Sequence, residues 1–352
     1  MPPRPTSPSG PTSPSRPTSL SRPTSLARPT SLARPLRLAT RESELARRQV
    51  DLVAAALAGG RAAAAVPVRT SGDVRSDVPI HLVGGRGVFV KEVDDAVLED
   101  RADASVHSAK DVPSVLREGL VIGAYLPRAD ARDALVGTPL SEMVPGAVVA
   151  TGSVRRRAQL AWLRPDLRFA ELRGNIATRL GKVPPGGAVV VAMAALVRLG
   201  MTDRAAHVFS TTEMLPQIGQ GAIAVCCRCE DAEVIAILGE MDDVTTRAEV
   251  ECERAWLRSV GGGCDAPVGA HARRMPDGGL RLDAVIASLD GHVLVREAMT
   301  GSDPETLGRA LAADILDRCG GRAVLEETDR TLAFSGGETP QPEGAERAGF
   351  VP

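Results

Sequence analysis

From Leu36 onward the chain alternates short Val-, Ala- and Leu-rich runs with longer stretches whose apolar residues recur at helical spacing, and it does so twice. That alternation confines the ordered part of the chain to α/β architectures with parallel strands. The first round reads "PLRLAT", a strand, then "RESELARRQVDLVAAALAGG", a helix stopped by Gly-Gly, then "AAVPVRTSGD", a strand entering a polar loop. It closes with "GGRGVFVKEVDDAVLEDRADASVHSAKDVP", read as loop, helix, strand, loop. The second round, from "GAVVATGSVRRR" to "TRLGKV", repeats strand, loop, helix, strand, helix. After "QIGQGAIAVCCRCED" the texture changes to one long helix, a "GGGC" loop, alternating strands and a last helix near "PETLGRALAADILDRC", the pattern of a small antiparallel sheet with helices on one face. Apolar residues make up 43% of the chain but aromatics only 2%, so the cores must be built from Ala, Val, Leu and Ile.

Residues 1–35 are different in kind. They hold ten of the 26 prolines, contain no Asp or Glu, and repeat "RPTSL" every six residues, a composition that cannot bury enough apolar surface to fold. An acid-free, Arg- and Ser-rich leader also mimics a transit peptide, but this proline spacing spoils the amphipathic helix such a peptide needs. Without the five arginines of this tail the body holds 37 basic against 44 acidic residues, so general nucleic-acid binding is excluded and any anion site must be local. Six cysteines without a disulfide-like spacing point to a reducing cytoplasm, and the longest apolar run, from Ala188, is about half the length of a membrane span.

Four stretches carry candidate chemistry. "ATGSVRRR" places Thr151, Ser153, Arg155 and Arg156 where a strand meets a helix, whose free N–H groups already favour an anion. Arg41, Arg173 and Arg179 lie at comparable junctions, the usual ligand crevice of open α/β sheets. In "HSAKDVP" Asp111 is the only carboxylate. It either stabilises a developing cation or forms a structural salt bridge with Lys110 or an arginine. "GGGCDAP" leaves the Cys264 thiol in a glycine-flanked loop, a poor place to hide it, which favours a covalent role over inert packing. "CCRC", with Cys226, Cys227 and Cys229, lacks the second ligand pair of a zinc site, so a buried strand and no metal are expected.

Taken together, "LRLATRESELA", "TSGD", "GGRGVFVKE", "HSAKDVP", "PRADARDALV", "TGSVRRRAQL", "LRGNIATRL", "MLPQIGQGAIAV", "ERAWLRSVGGGC" and "APVGAHA" resemble the porphobilinogen deaminase family from about Leu36 to about Gly321. The resemblance implies two domains like those of periplasmic binding proteins around a cleft and a third that carries a dipyrromethane cofactor, bound by a thioether to Cys264. It implies a transferase that joins four porphobilinogens head to tail with loss of ammonia, giving hydroxymethylbilane for tetrapyrrole (haem, sirohaem, corrin) biosynthesis. Asp111 matches the catalytic aspartate, offsetting the azafulvenium charge left when ammonia departs. Ser43, Ser108, Lys110, Thr151, Ser153, Arg155, Arg156 and Arg173 match cofactor-binding positions, while Arg41, Arg179, Arg198 and Phe89 match substrate-binding ones. A cytoplasmic monomer that passes its product to uroporphyrinogen-III synthase is implied as well.

The expected organisation is a tail over 1–35, a first α/β domain from 36–126 and 220–242, a second over 127–219, an α+β domain over 243–330 and a flexible tail over 331–352. Three departures from the family pattern stand out: Ala109 where Met is usual, Gly152 where a second hydroxyl residue is usual, and no acidic residue before "AVVVAMAALVRLG". The first two predict changed packing or one donor fewer.

Overall fold

β1 (Leu36–Arg41) and α1 (Glu44–Ala56) open the fold, the helix starting where the Ser43 hydroxyl accepts the Ala46 N–H. The computed structural model describes residues 34–74, 90–261 and 266–334. In chain order there follow β2 (Ala63–Val68), α2 (Ser71–Val74), α3 (Lys91–Leu98), β3 (Ala104–Ser108), β4 (Leu120–Tyr125), β5 (Asp133–Gly137), β6 (Val148–Ala150), α4 (Val154–Leu163), β7 (Arg168–Ala170), α5 (Ile176–Leu180), β8 (Ala188–Ala192), α6 (Met193–Arg198), β9 (His207–Val208) and β10 (Ile223–Arg228). The remainder is α7 (Ala232–Gly239), α8 (Val244–Val260), β11 (Val268–Arg274), β12 (Leu280–Ala287), β13 (Leu294–Gly301), α9 (Pro304–Asp317) and α10 (Gly321–Phe334).

These strands make two five-stranded sheets of the same design. One runs β2-β1-β3-β10-β4 and the other β7-β6-β8-β5-β9. In each, four strands run the same way and one is reversed: β10 is antiparallel to both its neighbours, β3 and β4, and β5 to β8 and β9. The expected α/β class is borne out, but the sheets are mixed rather than purely parallel. Every residue of β8 is buried, as a strand covered on both faces requires. The third sheet, β11-β12-β13, is antiparallel throughout and backed by α8 and α9 through Trp256, Leu307, Leu311 and Ile315.

Two expectations change. α10 was not anticipated, and it carries regular structure past residue 331 to Phe334. "TSGD", read as a polar loop, forms the short helix α2. The buried-strand reading of "CCRC" holds for Cys226 and Cys227 in β10, where side chains alternate between faces, whereas Cys229 lies past the strand and is exposed. Cys226 packs with Tyr125 and Val250, Cys227 with Val234 and Leu238, so the two thiols point into different cores and cannot share one ion. Burial pushes the Cys227 thiol up to about 11 and the Cys226 thiol higher still.

α8 ties the third sheet to the rest. Asp243 caps its start by accepting the Thr246 N–H at 2.7 Å, and Gly261 ends it in the left-handed conformation. From its centre the buried Glu253 accepts from Arg128 (2.7 Å), the Gly219 N–H (2.7 Å) and the Ala272 N–H (2.8 Å). α9 crosses α8 at Gly308, where an added Cβ would stand 2.6 Å from the Cys252 carbonyl oxygen and 2.7 Å from the Trp256 nitrogen.

Gly308→Ala therefore sets two effects against each other. Helix propensity favours alanine by about 1 kcal/mol. The backbone contact wins, because neither helix can withdraw without opening the Trp256 core. The urea midpoint is expected to fall; a rise would show that the α8–α9 contact is looser than this geometry.

Candidate active site between the two mixed sheets

The site begins with the turn that follows β6. Thr151 accepts the Ser153 N–H (3.2 Å) and Ser153 accepts the Arg156 N–H (3.4 Å), so both hydroxyls start α4. The first turn of α4 then drives Arg155, Arg156 and Arg157 inward, and the first two are only 3% and 6% exposed. What makes this tolerable is Asp133, the first residue of β5, fully buried at 0% exposure. Arg156 reaches its Oδ1 through Nη2 (2.7 Å) and Nε (3.1 Å), and Arg155 Nη2 lies 2.8 Å from Oδ2. Burial alone would raise the Asp133 carboxyl. Arg155 and Arg156 outweigh that and hold it well below the usual carboxylate range.

Gln220 carries the arrangement across to the other sheet. Its side-chain amide donates to Asp133 Oδ1 (2.9 Å) and the Ala131 carbonyl (2.7 Å), while its Oε1 accepts from Lys110 Nζ at 3.3 Å. Lys110 and Asp111 sit in a single 3₁₀ turn, Ala109–Asp111, directly after β3. Gly219, at φ +71°, lets the neighbouring loop press onto this turn: a Cβ there would be 3.1 Å from that of Ala109. The small Ala109 thus fits a tight contact.

The cations share one field. Desolvation, reinforced by Arg156, lowers the Lys110 ammonium to about 8, with Asp111 pulling the other way. Desolvation and Arg156 also lower Arg179 to about 10, again opposed by Asp111, with Arg173 and Arg41 adding to the repulsion. The half-buried Asp111 therefore faces a group of positive charges contributed by both sheets.

Among the described residues several guanidinium atoms in this region have no hydrogen-bond partner: Nε of Arg155, whose Nη2 is taken up by Asp133, Nε and Nη1 of Arg173, and Nε of Arg198. Buried donors left this way suit a multiply charged anion. Arg173 is partly engaged by Glu171 (2.8 Å), Arg179 by the Gly174 carbonyl (2.8 Å) and Arg198 by the Gly221 carbonyl (2.6 Å).

The structure thus brings Lys110, Asp111, Arg41, Arg155, Arg156, Arg173 and Arg179 into one electrostatic neighbourhood. Ser43 and Ser108 have fold roles, the first as cap of α1 and the second accepting from Gln49 at 2.8 Å. Arg198 is lowered to about 10 by desolvation. Cys264 and Phe89 lie outside the described residues. Asp133 and Gln220 escaped sequence reasoning, since one polar residue heading an apolar strand gives no sign of its partners. Gly152 is explained: a Cβ there would be 2.7 Å from the Leu172 carbonyl oxygen, so this backbone leaves no room for a hydroxyl side chain.

Comparison with known sequences agrees with the motifs. The family described as "Porphobilinogen deaminase, dipyromethane cofactor binding domain" matches residues 36–236, and "Porphobilinogen deaminase, C-terminal domain" matches 247–317. The porphobilinogen deaminase of Syntrophobacter fumaroxidans is 43% identical over 304 residues, covering 84% of this chain and 98% of its own. That of Acidothermus cellulolyticus is 46% identical over 307 residues, covering 84% and 92%. Among solved structures, lipoprotein Tp32 from Treponema pallidum covers 60% of this chain and 92% of its own at 11% identity and a TM-score of 0.37, too loose a likeness to carry an argument.

Asp133→Asn leaves two buried guanidinium groups without their shared counter-charge. Breaking one side of a buried ion pair costs about 3–5 kcal/mol, and chemical denaturation is expected to read a loss of that order. A loss below about 1 kcal/mol, the range of an exposed pair, would contradict the central position given to this carboxylate.

Proposed function

The chain belongs to the porphobilinogen deaminase family, and from that premise we infer a hydroxymethylbilane synthase that condenses four porphobilinogen molecules head to tail, releasing ammonia, onto a covalent dipyrromethane primer. The observation that carries the reading in this chain is the cluster of half-satisfied arginines around a single half-buried carboxylate. Each porphobilinogen brings an acetate and a propionate, so the bound chain gains negative charge with every addition. The unpartnered nitrogens of Arg155, Arg173 and Arg198 fit such a polycarboxylate, and Lys110 and Arg179, lowered first by desolvation and then by neighbouring arginines, would gain from the counter-charge it brings.

When bound, the dipyrromethane supplies the pyrrole carbon that is extended. Lys110, Arg155, Arg156 and Arg173 would hold its carboxylates, with Thr151 and Ser153 setting the α4 turn that presents the two arginines. Arg41, Arg179 and Arg198 would receive the incoming substrate. Asp111 would accept hydrogen bonds from pyrrole N–H groups and offset the positive charge that develops as ammonia leaves. Cys264, four residues past the end of α8, would be the attachment point, and Phe89 would cover the site.

The three sheets support a three-part organisation, with β10 returning to the first sheet after the second is complete, near the expected boundaries of 36–126 with 220–242, 127–219 and 243–330. No described helix is long and apolar enough to cross a membrane. A cytoplasmic monomer handing its product to uroporphyrinogen-III synthase remains part of this reading.

Asp111→Asn tests the assignment. The variant is expected to keep its fold and its binding of porphobilinogen while hydroxymethylbilane formation falls by more than a hundredfold. Near wild-type product formation would remove Asp111 from the chemistry.

A further inference from the structure

The turn bearing Asp111 is held from behind by a residue on α8. Arg254 is only 3% exposed. Its guanidinium donates to three consecutive carbonyls that begin one residue after Asp111: Val112 (3.3 Å), Pro113 (2.8 Å) and Ser114 (3.3 Å). Val112 is buried in the core beside Ala109, but on the same side a cavity of about 310 Å³, lined also by Arg254, opens beside Ser114, Leu116 and Ile122, so past Val112 the hydrogen bonds from Arg254 add to what packing supplies. Arg254 is in turn steadied by Glu251, 3.8 Å from its Nε, which accepts from the Tyr125 hydroxyl at 2.8 Å.

α8 is 17 residues long and ends at Val260, so one rigid rod both grips the residues after Asp111 and leads into the segment that contains Cys264. We propose that Arg254 is a positioning residue: through the 112–114 carbonyls it sets where Asp111 stands relative to the primer anchored near the end of α8. The proposal rests on the reading of Asp111 and Cys264 given above. A planar fork of donors suits the task, since a point-like ammonium cannot span three carbonyls. Misplacing a catalytic group by a fraction of an ångström acts on turnover more than on substrate capture.

The test is steady-state kinetics together with intact-mass measurement of primer loading on Arg254→Gln and Arg254→Lys. Arg258→Gln serves as the control, because Arg258, one turn further along α8, donates to Glu305 of α9 and reaches Glu251 only at 4.0 Å, with no hydrogen bond to the 112–114 carbonyls. Arg254→Gln is expected to load primer normally and to keep KM within about twofold while kcat falls at least tenfold, with the lysine variant between the two and the control unchanged. If Arg254→Gln fails to fold, the same division between kcat and KM is read in Arg254→Lys. A kcat within twofold of wild type, or a loss that merely equals the fraction of chains lacking primer, overturns the proposal. Asp111→Asn run in parallel separates the layers: if it stays active the underlying reading fails, whereas an inactive Asp111→Asn beside a wild-type-like Arg254→Gln removes only the positioning role.

Discussion

A fully buried carboxylate with two buried arginines is the constraint on which this molecule turns. Asp133 could not be ionised in an apolar core, and Arg155 and Arg156 could not remain there without it. Together they let the first turn of α4 carry its charges inward. The surplus matters as much as the pairing: two cations share one anion, so the cluster keeps net positive charge, and the Nε of Arg155 keeps an unpartnered donor. Gln220 relays the same cluster to Lys110, which makes the loop after β3 and the helix after β6 parts of one electrostatic unit.

That unit is chemically suited to a substrate whose charge grows during the reaction. A site with every arginine saturated by protein carboxylates would have nothing to offer a polycarboxylate. One with none would not hold its cations in place. Here Arg173 and Arg179 each have one partner and spare capacity, and Asp111 is the negative charge that opposes their crowding. The half-buried position of Asp111 leaves it able to meet a cation from solution, which Asp133, sealed at 0% exposure, cannot do.

Much of this was legible in the sequence because it is local. Strand and helix periodicity gave the two α/β units and the antiparallel third sheet, and the motifs pointed to the strand ends where Lys110, Asp111, Arg155, Arg156, Arg173 and Arg179 gather. What was not legible is long-range. The reversal of β10 and β5 depends on which sheet edge a strand joins, and periodicity carries no direction. Asp133 lies 23 residues from Arg156 and 87 from Gln220, so nothing in its neighbourhood marks it as their partner. Gly152 looked like a lost donor and proves to be a close approach to the Leu172 carbonyl. α10 begins on Gly321, the second glycine of a pair that reads as the end of a helix but here stands at the start of another.

The measurement that bears most directly on the account is the intact mass of the denatured protein, made with porphobilinogen available during expression, for the native chain and for Cys264→Ser. An excess equal to one dipyrromethane in the native chain, absent from the variant, is the predicted result. A bare native mass, or an excess that survives in Cys264→Ser, would contradict a covalent primer at that cysteine, and with it the reason for an arginine cradle built around Asp133.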